Sequence, residues 1–537
     1  MSEGGDSFSR RDVLKTASVY ASAAAVSGLS PLAWSAHSSA STIATTEAGK
    51  IRGLVNQGIH SFKGVRYGAD TAARRFMPAL APTSWTKTLD STEYGAASPQ
   101  SGTEEEATSE DCLFLNIWTP GLRDGAKRPV MFYIHGGAYS HGSGSSPMYD
   151  GTRLCRRGDV VVVTVNHRLN AFGYLYLARL GGPQFADSGN AGMLDLVMAL
   201  RWVRDNIAEF GGDPNRVMLF GQSGGGAKIA TLMAMPTARG LFHRAATMSG
   251  QQVTASGPLN ATSRAHAFLD ALKLPPDRIE EVRTLPKESV IEAMAATDPV
   301  IGKGSLYFGP VLDERWLQQH PFYPDAPAIS AHIPMIIGNT HDETRLLIGG
   351  SDPAAFSLGW EQLPAKLAAN MRVDITPEVV VAAYREMYPQ YSPSDVFFAA
   401  TTAARSWRGA IIEVEARASQ GAPAYAYELD WKSPIEGGKW GAPHTLDIPL
   451  VFDNIDKKGS LTGTSADAQK VADQMSEAFI AFAKTGNPNT AAIPTWEPYQ
   501  IPKRQTLLID VQTRLASDPR GKERELFAKV PWIQQGT

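Results

Sequence analysis

The sequence predicts an α/β fold with a large, mostly parallel central sheet flanked by helices. Three observations predict it: apolar runs of strand length recur along the chain, a helix-period stretch separates two of them, and a Gly-x-Ser-x-Gly turn ends one run and opens a helix-forming one. Strands covered on both faces read as unbroken apolar runs, because neither face meets water. The chain has 537 residues with 43% hydrophobic content and no linker, internal repeat or low-complexity block. One unit over residues 41–537 with insertions fits this better than several modules.

Taken in order, residues 51–68 alternate around Gly53, Gly58 and Gly64, the pattern of short antiparallel strands joined by turns. Pro78, Pro82 and Trp85 mark an irregular segment. Strands are predicted over 113–118, ended by Thr119-Pro120, and over 130–135 and 160–165. Met193 to Phe210 has helical spacing and stops at the turn Gly211-Gly212-Asp213-Pro214. A short strand over 217–220 follows, and 334–338 and 424–429 add two more. Roughly 260–330 and 350–420 read as helices and loops, insertions expected to lie over the strand edge and shape a pocket.

The first forty residues form a separate unit. Ser9-Arg10-Arg11-Asp12-Val13-Leu14-Lys15 precedes an Ala/Ser-rich, mildly apolar stretch, and small residues at Ala33 and Ser35 or Ser38 and Ala40 suit cleavage. Residues 1–40 resemble a twin-arginine signal, which implies engagement of that export machinery, removal of the segment, and a periplasmic or secreted bacterial protein. No cysteine stands near the cleavage region for a lipid, and no later apolar run is long enough to span a bilayer, so no stable membrane anchor is expected. A formal charge of −3 gives no footprint for nucleic acid. Cys112 and Cys155 are the only cysteines, and both are expected to be free structural thiols. No metal or cofactor is called for.

Residues 219–226, Leu-Phe-Gly-Gln-Ser-Gly-Gly-Gly, form the most informative motif. A serine hydroxyl is a poor nucleophile near neutral pH, so an enzyme using it holds it on a sharp strand-to-helix turn beside a base. The motif alone also arises by chance in a Gly-rich chain, and context decides. Ser223 is the candidate nucleophile.

Such a serine needs an oxyanion hole, a base and an acid. The strand ending at Ile134 runs into His135-Gly136-Gly137-Ala138-Tyr139, where small residues let N–H groups converge on a developing charge. Gly137, Ala138 and Gly224 are the candidate donors. Among eleven histidines, His444 stands out: it opens a loop late in the chain, after the serine and an acid. His135 belongs to the glycine turn, and His341 lies beside the candidate acids. Asp342 and Glu343 both follow the 334–338 strand, and spacing does not choose between them.

At this point the chain resembles the type-B carboxylesterase (carboxylesterase/cholinesterase-like) family of α/β hydrolases. The resemblance rests on Ser109-Glu110-Asp111-Cys112-Leu113-Phe114-Leu115-Asn116, on the approach from Asn206 through Gly211-Gly212-Asp213-Pro214 to Gly226, on Phe62-Lys63-Gly64-Val65-Arg66-Tyr67, and on Thr485-Gly486-Asn487-Pro488-Asn489 with Trp496. It spans nearly the whole chain after residue 40. It implies an α/β-hydrolase fold, a serine esterase acting on a small-molecule ester through an acyl-enzyme, Glu343 rather than Asp342 as the acid, and His444 as the base. It also implies Gly137, Ala138 and Gly224 as the oxyanion hole. Amide, carbamate or lactone cleavage by the same triad is the alternative chemistry, and a non-catalytic binding member of the family is the alternative class.

Two departures mark this elbow. Many family members carry Glu before and Ala after the serine, where this chain has Gln222 and Gly224. Losing a carboxylate at Gln222 favours neutral His444 and tolerance of anionic substrates. Gln222 is therefore a candidate substrate-binding residue, and Tyr139 is a second, as a candidate gorge aromatic. Trp360, Trp407 and Phe308 are candidate gorge aromatics. Lys228, on the helix after the serine, is expected to pair with a local carboxylate or to reach water.

Overall fold

The computed structural model describes residues 42–102, 106–534 and 536, so the export-type segment over residues 1–40 lies outside the described residues. A small sheet joins β1 (Ile43–Thr45), β2 (Lys50–Arg52) and β5 (Leu89–Asp90). The large sheet contains β3 (Leu54–Asn56), β4 (Ile59–Arg66), β6 (Phe114–Thr119), β7 (Arg128–Ile134), β8 (Val161–Val165), β9 (Gly212–Gln222), β10 (Arg244–Met248), β11 (Met335–Thr340), β12 (Ala424–Leu429), β13 (Gln505–Ile509) and β14 (Arg514–Ser517). Its order is β14-β13-β12-β11-β10-β9-β7-β8-β6-β4-β3. The strands from β13 to β8 run parallel, and antiparallel pairs close both edges. This is the α/β-hydrolase fold expected from the sequence.

Alternation along the strands builds two cores. In β7, Val130, Phe132 and Ile134 point to one face and Met131 and Tyr133 to the other; β8 and β9 repeat the division. Helices Ala191–Asn206 and Gly224–Ala234 cover the first face, and Ala466–Thr485 covers the second. That last helix is bounded by its sequence: Ser465 Oγ accepts from Ala468 N at 3.1 Å, and Gly486 leaves it at φ +80°. Each large apolar side chain so buried contributes about 1.5–3 kcal/mol.

The 350–420 region contains helices Leu363–Asn370, Pro377–Met387, Pro393–Thr402 and Arg408–Ser419, and residues from the first three share a third apolar cluster. The 260–330 region is more irregular, with helices Pro258–Ala271 and Lys287–Ala293. One boundary departs from expectation: β9 starts at Gly212, well before the predicted 217–220 strand. Gly211, at φ +71°, ends the preceding helical turn, and Gly212 already pairs with Arg128. The register then shifts before Val130 meets Val217, an irregularity that accommodates Pro214.

β7 has β8 on one side and β9 on the other, so strand order reverses there, and ligands of open α/β sheets bind at the carboxyl ends around such a point. The segments after β7, β9, β11 and β12 carry His135 to Ala138, Ser223, Glu343 and His444 respectively.

Candidate active site

Ser223 joins β9 to the helix Gly224–Ala234 with φ +56° and ψ −125°, a conformation that residues bearing a Cβ rarely adopt. Its N–H donates to Met248 O at 2.8 Å and its carbonyl accepts from Ala227 N at 3.1 Å, so neighbouring strand and helix both hold the turn. The side chain is only partly covered. Such a turn lifts the hydroxyl off the sheet edge.

The loop after β7 packs directly against this turn. Gly137 has φ +83° and Ala138 φ +52°, and Gly137 O accepts from Ser140 N and His141 N, both at 3.1 Å. A Cβ on Gly224 would stand 2.1 Å from Ala138 O, so glycine permits this closeness. The N–H groups of Gly137 and Ala138 make no hydrogen bond among the described residues, and that of Gly224 is an unpaired donor of the helix's first turn.

Glu343 opens the helix Glu343–Leu347 just beyond β11 and is fully buried. Its Oε1 accepts from Thr340 N at 3.0 Å and Asn339 Nδ2 at 3.3 Å, and its Oε2 binds His444 Nδ1. Burial pushes this carboxyl up, but the neighbouring His444 outweighs it and holds Glu343 below the ordinary carboxylate range. Asp342 turns elsewhere: its carboxylate accepts from Ala442 N at 2.9 Å and contacts His341 and Arg345. The structure thus brings Glu343, and not Asp342, onto His444.

His444 is buried, and Gln222 Nε2 lies 3.2 Å from Nε2 of the ring and 3.4 Å from Nδ1. Among the described residues no hydrogen bond joins Ser223 Oγ to His444. Such contacts are often long without substrate and tighten in the complex. Three residues on, buried Asp447 accepts from the Tyr427 hydroxyl at 2.9 Å. Burial and then the Glu343 charge push Asp447 up to about 7. Sequence reasoning gave Asp447 no role. Its signal was only its spacing from His444.

Other candidates occupy different places. His135 is buried and stacked on His167, their ring centres 5.0 Å apart, and burial followed by the Lys228 charge holds it well below its usual value. Tyr139 is buried and donates its hydroxyl to Gln252 Oε1 at 2.9 Å. Trp360 is exposed beneath Arg385, Trp407 packs against Arg520, and Phe308 packs edge-on to Phe268. Lys228 departs from expectation, since it neither meets a carboxylate nor reaches water. The helix Gly224–Ala234 is buried at every residue, and the lysine Nζ donates to His135 O at 3.2 Å, behind the loop. Burial lowers it to about 7. Cys112 and Cys155 are both free and buried, and burial raises both thiols.

Among the described residues no cluster of His, Cys, Asp or Glu is suited to hold a metal, and no helix is long and apolar enough to cross a membrane. The Carboxylesterase family matches residues 40–527 of the chain. The para-nitrobenzyl esterase of Bacillus subtilis (strain 168) is 35% identical over 498 residues, covering 90% of this chain and 98% of that protein. The phenmedipham hydrolase of Pseudarthrobacter oxydans is 33% identical over 488 residues, covering 87% and 94%. A Geobacillus stearothermophilus carboxylesterase crystal structure superposes with a TM-score of 0.80 at 36% identity, covering 90% of this chain and 100% of its own.

Proposed function

The chain belongs to the carboxylesterase family and is a carboxylic ester hydrolase, and from that premise we propose that it cleaves esters through Ser223, His444 and Glu343. The observation that carries this reading is the buried contact of Glu343 with His444 Nδ1, which leaves Nε2 as the ring nitrogen turned away from the acid. In the proposed reaction Nε2 takes the Ser223 proton as the hydroxyl attacks the ester carbonyl, and Glu343 stabilises the imidazolium. The N–H groups of Gly137, Ala138 and Gly224 receive the oxyanion; losing one such donor costs about 10²–10³ in rate. His444 then protonates the leaving alcohol, and water repeats the sequence on the acyl-enzyme. The free N–H groups of the loop and the close approach of Ala138 to Gly224 support this role.

Labelling by a fluorophosphonate, located by peptide mass, tests the assignment. Label on Ser223 that disappears in Ser223→Ala is the expected result, and undiminished labelling of Ser223→Ala overturns it. We also propose that residues 1–40 direct twin-arginine export to the periplasm or beyond, supported by Arg10-Arg11 ahead of the Ala/Ser-rich stretch. Replacing Arg10 and Arg11 by Lys should retain the protein in the cytoplasm of a bacterial host, and unchanged export would refute the signal.

A further inference from the structure

A lysine is almost never fully buried without an acid partner, because an ammonium taken out of water loses its hydration. Lys228 breaks that rule. It is wholly buried in the helix Gly224–Ala234, which starts at the serine turn, and its one hydrogen bond among the described residues runs to a backbone carbonyl. The stacked His135 and His167 face it and supply no counter-charge. Burial, followed by the Lys228 charge, holds both imidazoles well below their usual value, and Nε2 of each is buried without a hydrogen-bond partner. What the ammonium touches explains why it stands there.

Lys228 meets both ends of the loop whose middle carries the Gly137 and Ala138 N–H groups. At the near end its Nζ donates at 3.2 Å to the carbonyl of His135, the first residue after β7. That carbonyl belongs to the peptide immediately before the one that carries the Gly137 N–H. At the far end the ammonium lies over the Tyr139 ring, 5.6 Å from its centre. The same helix meets Tyr139 again one turn later, where Thr231 Oγ1 lies 3.4 Å from the tyrosine hydroxyl. Closer to Ser223 the helix has no room for a side chain: a Cβ on Gly225 would stand 1.9 Å from Ile134 O and 3.0 Å from His135 O. Residues three apart share a helix face, so Lys228 is the first residue on the face of Gly225 to carry a side chain toward the loop.

We propose that Lys228 is a positioning residue for the oxyanion hole: its ammonium ties the His135 carbonyl and the Tyr139 ring to the helix behind Ser223, and so holds the Gly137 and Ala138 N–H groups on the oxygen that becomes negative. Lys228 touches no reacting atom and acts through the loop. Donors fixed in advance favour the transition state over the ground state, because they need not move as charge develops. A positive charge behind the loop favours the same oxygen, and more strongly in a buried setting than in water. This inference rests on the reading of Ser223 as the nucleophile and of Gly137, Ala138 and Gly224 as the oxyanion hole.

The test compares the intact parent enzyme with Lys228→Met, which removes donor and charge from a side chain of similar length, and with Lys228→Arg, which keeps both. Active sites are counted by fluorophosphonate titration, so that loss of folded protein does not register as loss of rate. The probes are 4-nitrophenyl butyrate and an alkyl trifluoromethyl ketone. Ser223 Oγ adds to the ketone carbonyl, its proton passes to His444, and the carbonyl oxygen becomes the oxyanion of a hemiketal. Per titrated site, Lys228→Met should lower kcat and kcat/KM alike by about tenfold, leave KM within about twofold, and raise the ketone's Ki by about tenfold. Lys228→Arg should recover most of both losses. Values of kcat and Ki within about twofold of the parent's in Lys228→Met overturn the proposal. A lower kcat with an unmoved Ki overturns it as well, and so does an equal loss in Lys228→Arg, which assigns the effect to packing. If Lys228→Met does not fold, Lys228→Gln takes its place, with the same expected direction and the same overturning results. Absence of phosphonate titration in the parent defeats the Ser223 reading and this inference with it. Unaltered kcat and Ki in a variant that titrates normally defeat the inference alone.

Discussion

The side-chain amide of Gln222 reaches both nitrogens of the His444 imidazole, 3.2 Å from Nε2 and 3.4 Å from Nδ1, while Glu343 binds Nδ1. The ring thus has one charged and one neutral partner, and the residue immediately before Ser223 supplies the neutral one. A local sequence choice therefore sets the charge felt by a histidine 222 residues further along the chain.

Replacing that amide by a carboxylate tests its electrostatic role. In Gln222→Glu a second anion beside the ring favours the imidazolium, which cannot accept the Ser223 proton. The acidic limb of the pH–rate profile should move up by roughly one pH unit, so that activity falls more at pH 6 than at pH 8. Carboxylate-bearing esters should lose more than neutral ones. Profiles of kcat/KM for both ester types check this, and superimposable profiles for parent and variant would remove the electrostatic account.

How much of this site is legible in the sequence follows from which signals are local. The turn around Ser223 and the loop at Gly137 are readable because both end apolar strand runs, and glycine marks where the backbone must turn or approach closely. β10, Arg-Ala-Ala-Thr-Met, is not readable, because its small side chains give no strand-like apolar run. Asp342 and Glu343 are adjacent on one turn, and only the three-dimensional direction of each carboxylate separates them. Lys228 misleads because a helix buried on every side has no polar face to announce. Asp447 gains its place only on folding, when the Tyr427 hydroxyl of β12 reaches its carboxylate.

The contact between Gly224 and the Ala138 carbonyl gives a second prediction. In Gly224→Ala the new methyl group would meet backbone at 2.1 Å, which no side-chain rotation relieves, so the loop must retreat from the serine turn. The N–H groups of Gly137 and Ala138 retreat with it. kcat should fall by about 10- to 100-fold, less than outright loss of a donor, with KM little changed, because the interaction is stronger in the transition state than in the ground state. A variant with parental kcat would indicate that these N–H groups do not receive the oxyanion.

Asp447 predicts a stability that depends on pH with a definite sign. Its folded-state value is raised to about 7 by burial and then by Glu343, whereas an unfolded aspartate titrates near about 3.9. The folded protein therefore binds this proton more tightly than the unfolded chain does. The group adds no penalty at low pH and destabilises progressively as pH rises from about 4 to about 7. Asp447→Asn keeps an acceptor for the Tyr427 hydroxyl and removes the ionisation. The thermal midpoint of the variant minus that of the parent should rise between pH 5 and pH 8. A difference independent of pH, or one that falls, would exclude the raised value.

The backbone of Ser223 supports a last prediction that separates conformation from chemistry. At φ +56° and ψ −125° any residue with a Cβ is strained, by about 1–3 kcal/mol, and glycine is not. Ser223→Ala and Ser223→Gly both remove the hydroxyl, so neither should react with a phosphonate, and the difference between them isolates the effect of the Cβ. Glycine also widens the unfolded ensemble, which offsets about 0.5–1 kcal/mol of the relief. Ser223→Gly should therefore be more stable than Ser223→Ala by about 1 kcal/mol, and Ser223→Ala should lie close to the parent. Urea denaturation followed by intrinsic fluorescence measures the difference. Were the alanine variant the more stable, the turn would be relaxed, and display of the hydroxyl could not be attributed to a backbone held under strain by Met248 and Ala227.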